Sequence, residues 1–272
     1  MRSNVAKMKV YISVDIEGVA GITHWDEAEK NHPDWQEFRE IMTGETIAAI
    51  DGARAAGATE IYVKDAHDSG RNLITTMLPA DCMIIRSWSG HPYSMIQELD
   101  ESFDALIMVG WHAHVGSEEN NLAHTMNTRT HAIMLNGKPA SEFTLFVNAA
   151  ATYGVPTVFV SGDTALMREV EATNAYITRI PVKEGKGAST ISMSPAAAQV
   201  AIRAGVESAL KGNLKDCIIT APIKCVLDVT YVTPDLAFEK SFYPGVKHLG
   251  NRTNRIETDN FFDIMRALRF IK

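Results

Sequence analysis

The amino-acid sequence predicts an α/β protein: a mostly parallel sheet with helices on both faces, and a smaller C-terminal α+β portion. Short apolar, β-branched runs at residues 9–14, 60–64, 105–110 and 156–161 alternate with segments of helical periodicity. The links between them are short, so strand, helix and strand can form right-handed βαβ units. Beyond residue 175 the texture changes to glycine- and serine-rich loops, an alanine-rich helix and a second β-rich stretch. Residues 1–175 are therefore expected to be the α/β core and residues 176–272 a smaller appended unit.

Residues 9–14, Lys-Val-Tyr-Ile-Ser-Val, alternate as a strand does. Asp15 and Glu17 follow where the strand should end, with Gly18 and Gly21 behind them for a tight turn. A polar loop leads to a helix over residues 35–56, where Phe38, Ile41, Met42, Ile47, Ile50 and Ala53 recur at three-to-four spacing and Gly57 supplies a stop. Residues 60–64 read as a second buried strand, followed at once by Asp65-Ala66-His67-Asp68. Residues 82–86 make a third short strand, residues 95–99 a helical turn or two, and residues 105–110 a fourth strand running into Trp111-His112-Ala113-His114. A long loop containing His124 reaches a strand over residues 131–140 with an Asn136-Gly137 turn. Ser141-Glu142 opens a helix to about residue 153, and residues 156–161 form another strand ahead of Gly162-Asp163. Gly185, Gly187, Ser189, Ser192 and Ser194 mark a loop, residues 195–210 a helix, and residues 217–230 a β-rich stretch. Pro234 and Pro244 mark a further loop, and residues 261–270 a short amphipathic helix.

Composition removes several functional classes. A net charge of −7 leaves no broad electrostatic footprint for nucleic acid or an anionic membrane. The three cysteines, Cys82, Cys217 and Cys225, form no C-x-x-C motif, so disulfides are not expected and a reducing cytoplasm is. The N-terminal residues lack the apolar stretch of a signal peptide, and no apolar run reaches membrane-spanning length.

Chemistry gathers at the strand ends, where open parallel sheets bind ligands. Asp15 and Glu17, two apart on a strand, point the same way, and two such charges repel unless a cation or proton lies between them. His67, then His112 with His114, follow the next strand ends, and Glu142 opens a helix. Mixed carboxylate and imidazole donors suit a divalent transition metal, a carboxylate can bridge two ions, and the absence of cysteine argues against a closed structural zinc site. Two metals together can lower the pKa of a water to about 7 and polarise a carbonyl or phosphoryl oxygen. Each residue has a plainer reading: Glu142 as an acid favoured at a helix N-terminus, Asp65 and Asp68 as turn formers, His24, His32, His91 and His131 as surface or packing residues. Convergence of several strand ends is what those readings leave unexplained.

Five blocks, Ser13-Val14-Asp15-Ile16-Glu17-Gly18, Lys64-Asp65-Ala66-His67, Gly110-Trp111-His112-Ala113, Ala123-His124-Thr125-Met126 and Asn136-Gly137-Lys138-Pro139-Ala140-Ser141-Glu142, together resemble the bacterial zinc-dependent D-aminopeptidases of the dipeptide-transport type. The resemblance implies a two-zinc site with Asp15 bridging, Glu17, His67, His112 and Glu142 as the other ligands, and His124 as the catalytic residue. It also implies hydrolysis of N-terminal, preferably D-configured, residues from short peptides, and a ring-stacked homodecamer whose active sites face an internal chamber. Phe242, Tyr243, Phe261 and Phe262 are candidates for subunit contacts or for core. Two other classes share the donor set. A two-metal phosphoesterase is disfavoured by the lack of a P-loop and of an Arg/Lys cluster near the ligands, and a non-catalytic metal-dependent binding module would have no use for His124.

Overall fold

The computed structural model describes residues 7–272; the N-terminal stretch read above as lacking signal-peptide character lies, apart from Lys7, outside them. The first strand, β1 (Lys9–Val14), lies in the interior of the larger sheet, its apolar side chains buried on both faces. Helix α1 (Trp35–Ala55) connects it to β2 (Glu60–Asp65), which pairs with it in parallel, and β3 (Met83–Ile85) adds to the far side of β2. β4 (Ala105–Trp111), buried throughout, pairs in parallel with the other edge of β1. Asp15, His67 and His112 thus follow three adjacent parallel strands.

The chain then leaves this sheet for the hairpin of β5 (Thr130–Leu135) and β6 (Lys138–Pro139), and returns through α2 (Glu142–Thr152) to β7 (Thr157–Asp163), beside β4. Helix α3 (Thr164–Thr173), β8 (Thr178–Lys186) and the antiparallel edge strand β9 (Ser189–Ser192) complete a seven-stranded sheet ordered β3-β2-β1-β4-β7-β8-β9. Helix α4 (Pro195–Lys211) packs along α1 on one face, and α2 and α3 cover the other. β10 (Cys225–Tyr231), α5 (Pro234–Lys240), β11 (Lys247–His248), β12 (Thr253–Thr258) and α6 (Phe261–Ile271) follow. The second sheet is antiparallel, ordered β11-β12-β10-β5-β6, so β5 and β6 pair with strands from far later in the chain. β8, β9 and α4, which follow residue 175, belong to the first sheet and its layers. β10 alternates buried and half-buried residues, as a sheet covered on one face does, and α6 lies against β10, β12 and α2.

Several elements differ from the sequence expectation, among them the strands β8 and β11, which it did not include. α3 is a short helix that Asp163 caps through its carboxylate, buried at Ala165, Leu166, Met167 and Val170. Residues 185–194, expected as loop, contain an edge strand whose mostly exposed side chains leave no apolar alternation to read. Pro234 opens α5 rather than ending structure, since proline suits the first helical turn. β12 has only Asn254 and Ile256 buried, and its identity comes from pairing with β10. Among the described residues no helix is long and apolar enough to cross a membrane. Phe261 is core, whereas Phe242 is exposed.

Candidate metal centre

The turn after β1 is pressed onto the end of β4. The Asp15 N–H donates to the Val109 carbonyl (2.9 Å) and the Gly18 N–H to the Gly110 carbonyl (2.8 Å). A side chain at either glycine would strike backbone: a Cβ at Gly18 meets the Trp111 carbonyl, and one at Gly110, whose φ is +69°, meets the Asp15 carbonyl. This approach carries Asp15 and Glu17 to His112. His67 is brought to the same place by the loop after β2, where the Asp65 carboxylate accepts from the Leu73 N–H (2.8 Å) and the Asn72 side chain (2.9 Å), which also donates to the His67 carbonyl (2.7 Å). Glu142 is the first residue of α2, behind Ser141, whose hydroxyl accepts from the Thr144 N–H (3.1 Å).

The five expected ligands are all buried and form two groups of three that share Asp15: Asp15, Glu17 and His67, and Asp15, His112 and Glu142; Glu17, His112 and the half-buried His124 make a third group close enough to hold a metal ion. His67 Nδ1 lies 2.9 Å from Glu17 Oε2 and 3.3 Å from Asp15 Oδ1. His112 Nε2 lies 3.5 Å from both Asp15 Oδ2 and Glu142 Oε2. One Asp15 oxygen therefore serves each group. His124 stacks on His112 with ring centroids 4.3 Å apart, and its Nε2 lies 3.7 Å from Glu17 Oε1 and 3.6 Å from Glu142 Oε1. Asp15, Glu17, His67, His124 and Glu142 line a cavity of about 530 Å³, within the range of small-ligand sites.

The tautomers test whether cations fit here. His67 Nε2–H donates to the Ala28 carbonyl (2.9 Å), His112 Nδ1–H to the Ala113 carbonyl (3.0 Å) and His124 Nδ1–H to the Leu122 carbonyl (2.9 Å). Each neutral ring then turns a bare lone pair toward carboxylate oxygens, an arrangement that repels unless a metal or a proton intervenes. His112 Nε2 and Glu17 Oε2 are buried with no hydrogen-bond partner. Without metal the cluster retains protons instead. Burial opposes a charge on His112, yet Glu142 and Asp15 raise its pKa to about 10; Glu142, despite its own burial, is pulled down to about 2 by His112. His67 is raised well above the usual range against its burial, chiefly by Glu17, while burial and then Glu17 push Asp15 well up. Glu17, against its own burial, is drawn well below the ordinary range by His67. His124 goes the other way, lowered by burial and then by His112. The donor set fits two divalent ions bridged by a carboxylate.

A family model described as D-aminopeptidase matches residues 8–270. The chain belongs to the D-aminopeptidase family. Its relative from Bacillus subtilis strain 168, a D-aminopeptidase, is 28% identical over 263 residues, spanning 96% of this chain and 95% of that one. A solved structure, the Zn-dependent D-aminopeptidase DppA from Bacillus subtilis, described as a self-compartmentalizing protease, superposes with a TM-score of 0.91 at 26% identity, covering 97% and 96% of the two chains.

This member of the D-aminopeptidase family has supports that its strand-end pattern does not reveal. Lys183 of β8, almost wholly buried, donates to the carbonyls of Glu17 (2.5 Å) and Ile22 (3.3 Å), and Glu45 Oε1 accepts from the Ala20 N–H (2.8 Å). Both hold the loop that carries Asp15 and Glu17. Glu45 sits on the buried face of α1 with Phe38, Met42 and Ala49, so a charge on an apolar stripe was the available signal. Asp163 accepts from the Ala113 N–H (2.9 Å) and the Asn120 side chain (3.0 Å), tying down both ends of the loop between His112 and His124. His114 stands outside the cluster: its backbone N–H donates to Glu169 (3.1 Å) and its ring to the Val115 carbonyl (2.7 Å).

Proposed function

We propose that the chain is a cytoplasmic zinc-dependent aminopeptidase that removes N-terminal residues, D-configured by preference, from short peptides. The observation that carries this reading is the pair of three-ligand groups sharing Asp15, with His124 within reach of Glu17 and His112 beside them. Asp15, Glu17, His67, His112 and Glu142 would hold two zinc ions, which supply Lewis acidity for an amide carbonyl and lower the pKa of a water toward about 7.

The rest of the chemistry falls to the chain's own side chains. His124 Nδ1–H is anchored on the Leu122 carbonyl, so its Nε2 faces the cavity as a base. Burial and His112 favour the neutral ring, which accepts a proton from the attacking water at Nε2 and returns it to the leaving amine. The Trp25 ring packs edge-on against His124, 5.2 Å between centroids, fixing the imidazole and screening it from solvent. The three free cysteines fit a reducing compartment. A ring-stacked homodecamer is supported by the self-compartmentalizing relative and by exposed apolar side chains such as Phe238, Phe242 and Ile223.

Hydrolysis of D-Ala-D-Ala, L-Ala-L-Ala and bis-p-nitrophenyl phosphate by zinc-loaded and metal-stripped protein tests the reading. Zinc-dependent turnover of the D-dipeptide is expected. Turnover of the phosphodiester alone would make the site a phosphoesterase, and turnover of none would leave a binding module.

A further inference from the structure

The cavity that holds the candidate ligands has a second, basic wall. α6 packs on α2, whose first residue is Glu142, and this brings Arg269 and Lys272 to line the same cavity as Asp15 and Glu17. Spaced three apart on α6 and its cap, the two cations lie on one side of the helix. The helix dipole favours cations there in any case. What sets Arg269 apart is the lack of any side-chain partner at a half-buried position. Arg54, Arg168, Arg179, Arg255 and Arg266 each pair with a carboxylate. Among the described residues, neither Arg269 nor Lys272 makes a salt bridge or a side-chain hydrogen bond. The other arginines with no such partner, Arg71, Arg86, Arg129 and Arg203, are exposed, whereas Arg269 is half-buried. Arg269 also lines a small crevice with Met126, Phe146, Met265 and Leu268.

A half-buried guanidinium that lines the cavity and pairs with none of its carboxylates is suited to a ligand anion, and its planar fork matches a carboxylate through two parallel N–H···O bonds. A short peptide bound with its N-terminal amide at the ligand cluster presents one anion, its C-terminal carboxylate. Resting on the aminopeptidase reading above, we propose that Arg269, assisted by Lys272, binds the free C-terminal carboxylate of the peptide substrate. The site thereby selects short peptides over interior or blocked ones. Trp25, Trp88, Met95 and Met126 line the cavity as well and offer apolar surface for the substrate's side chains.

The test compares D-Ala-D-Ala with its C-terminal amide, D-alanyl-D-alaninamide, on zinc-loaded full-length protein. Wild type is expected to prefer the free acid by about tenfold or more in kcat/KM, the scale of a hydrogen-bonded charge contact. In Arg269→Ala that preference should collapse toward parity, with the loss residing in KM for the free acid, and Arg269→Lys should recover part of it. If Arg269→Ala does not fold, Arg269→Gln, which keeps most of the stem and removes the charge, reads the same ratio. An unchanged preference in the folded variants, or no preference in wild type, overturns the subsite while leaving the aminopeptidase reading intact. Hydrolysis of neither compound by wild type overturns that reading and the subsite with it.

Discussion

Glu45 makes the stability of this protein depend on pH in a way that one substitution should erase. The side chain is completely buried, one oxygen accepts from the Ala20 N–H and the other has no partner. Burial is the main cause that lifts its pKa from 4.5 to about 7, against the smaller opposing pull of that hydrogen bond and of Lys183. A carboxyl whose pKa is raised on folding contributes stability that is complete below the unfolded value and lost as pH rises through the folded value. The window therefore runs from about pH 4.5 to about pH 7. A shift of that size corresponds to about 3 kcal/mol at about 1.4 kcal/mol per unit. Glu45→Gln keeps the acceptor for Ala20 and imitates the protonated acid at every pH. The two proteins should thus be about equally stable at pH 4.5, with the variant ahead by about 3 kcal/mol at pH 8, or roughly 6 °C in melting temperature for a chain of this size. Urea denaturation of both proteins at matched metal loading measures the difference, because titrating groups that do not interact with Glu45 cancel between them. Stability curves that run parallel from pH 4.5 to pH 8 would refute the account of Glu45 as a buried, proton-holding support.

Three further outcomes follow from the site and the surface. Asp15→Ala should lose binding of both ions, since one of its oxygens serves each group, and metal analysis returning two full equivalents would remove Asp15 from the bridging role. His124→Ala should fold and retain both ions while peptide hydrolysis falls by about a hundredfold or more; parallel loss of metal would make His124 a ligand instead. Light scattering at micromolar concentration should report a large homo-oligomer, and a monomer alone would count against the decamer.

Much of this protein can be read in one dimension because its chemistry sits where the local pattern changes. A buried strand must be apolar, so the carboxylates and imidazoles at positions 15, 17, 67 and 112 stand out against the runs they follow, and parallel pairing gathers such ends on one edge of the sheet. Glu142 did not stand out in this way, since an acid opening a helix behind a capping serine has a plain reading, and its place among the expected ligands came from the family resemblance. Other features depend on partners distant in sequence. β9 and β12 carry little apolar signal of their own and exist as strands because β8 and β10 offer them hydrogen bonds. The second sheet joins β5 to β10 across some ninety residues, a pairing that no local window contains. Lys183 and Asp163 look like ordinary charges until burial places them against the backbone of the loops that carry the expected ligands. Arg269 looks like an ordinary helix-end cation until α6 packs on α2 and turns it into the cavity. Local periodicity records which face of an element avoids water; which element covers that face is settled only when the whole chain is packed.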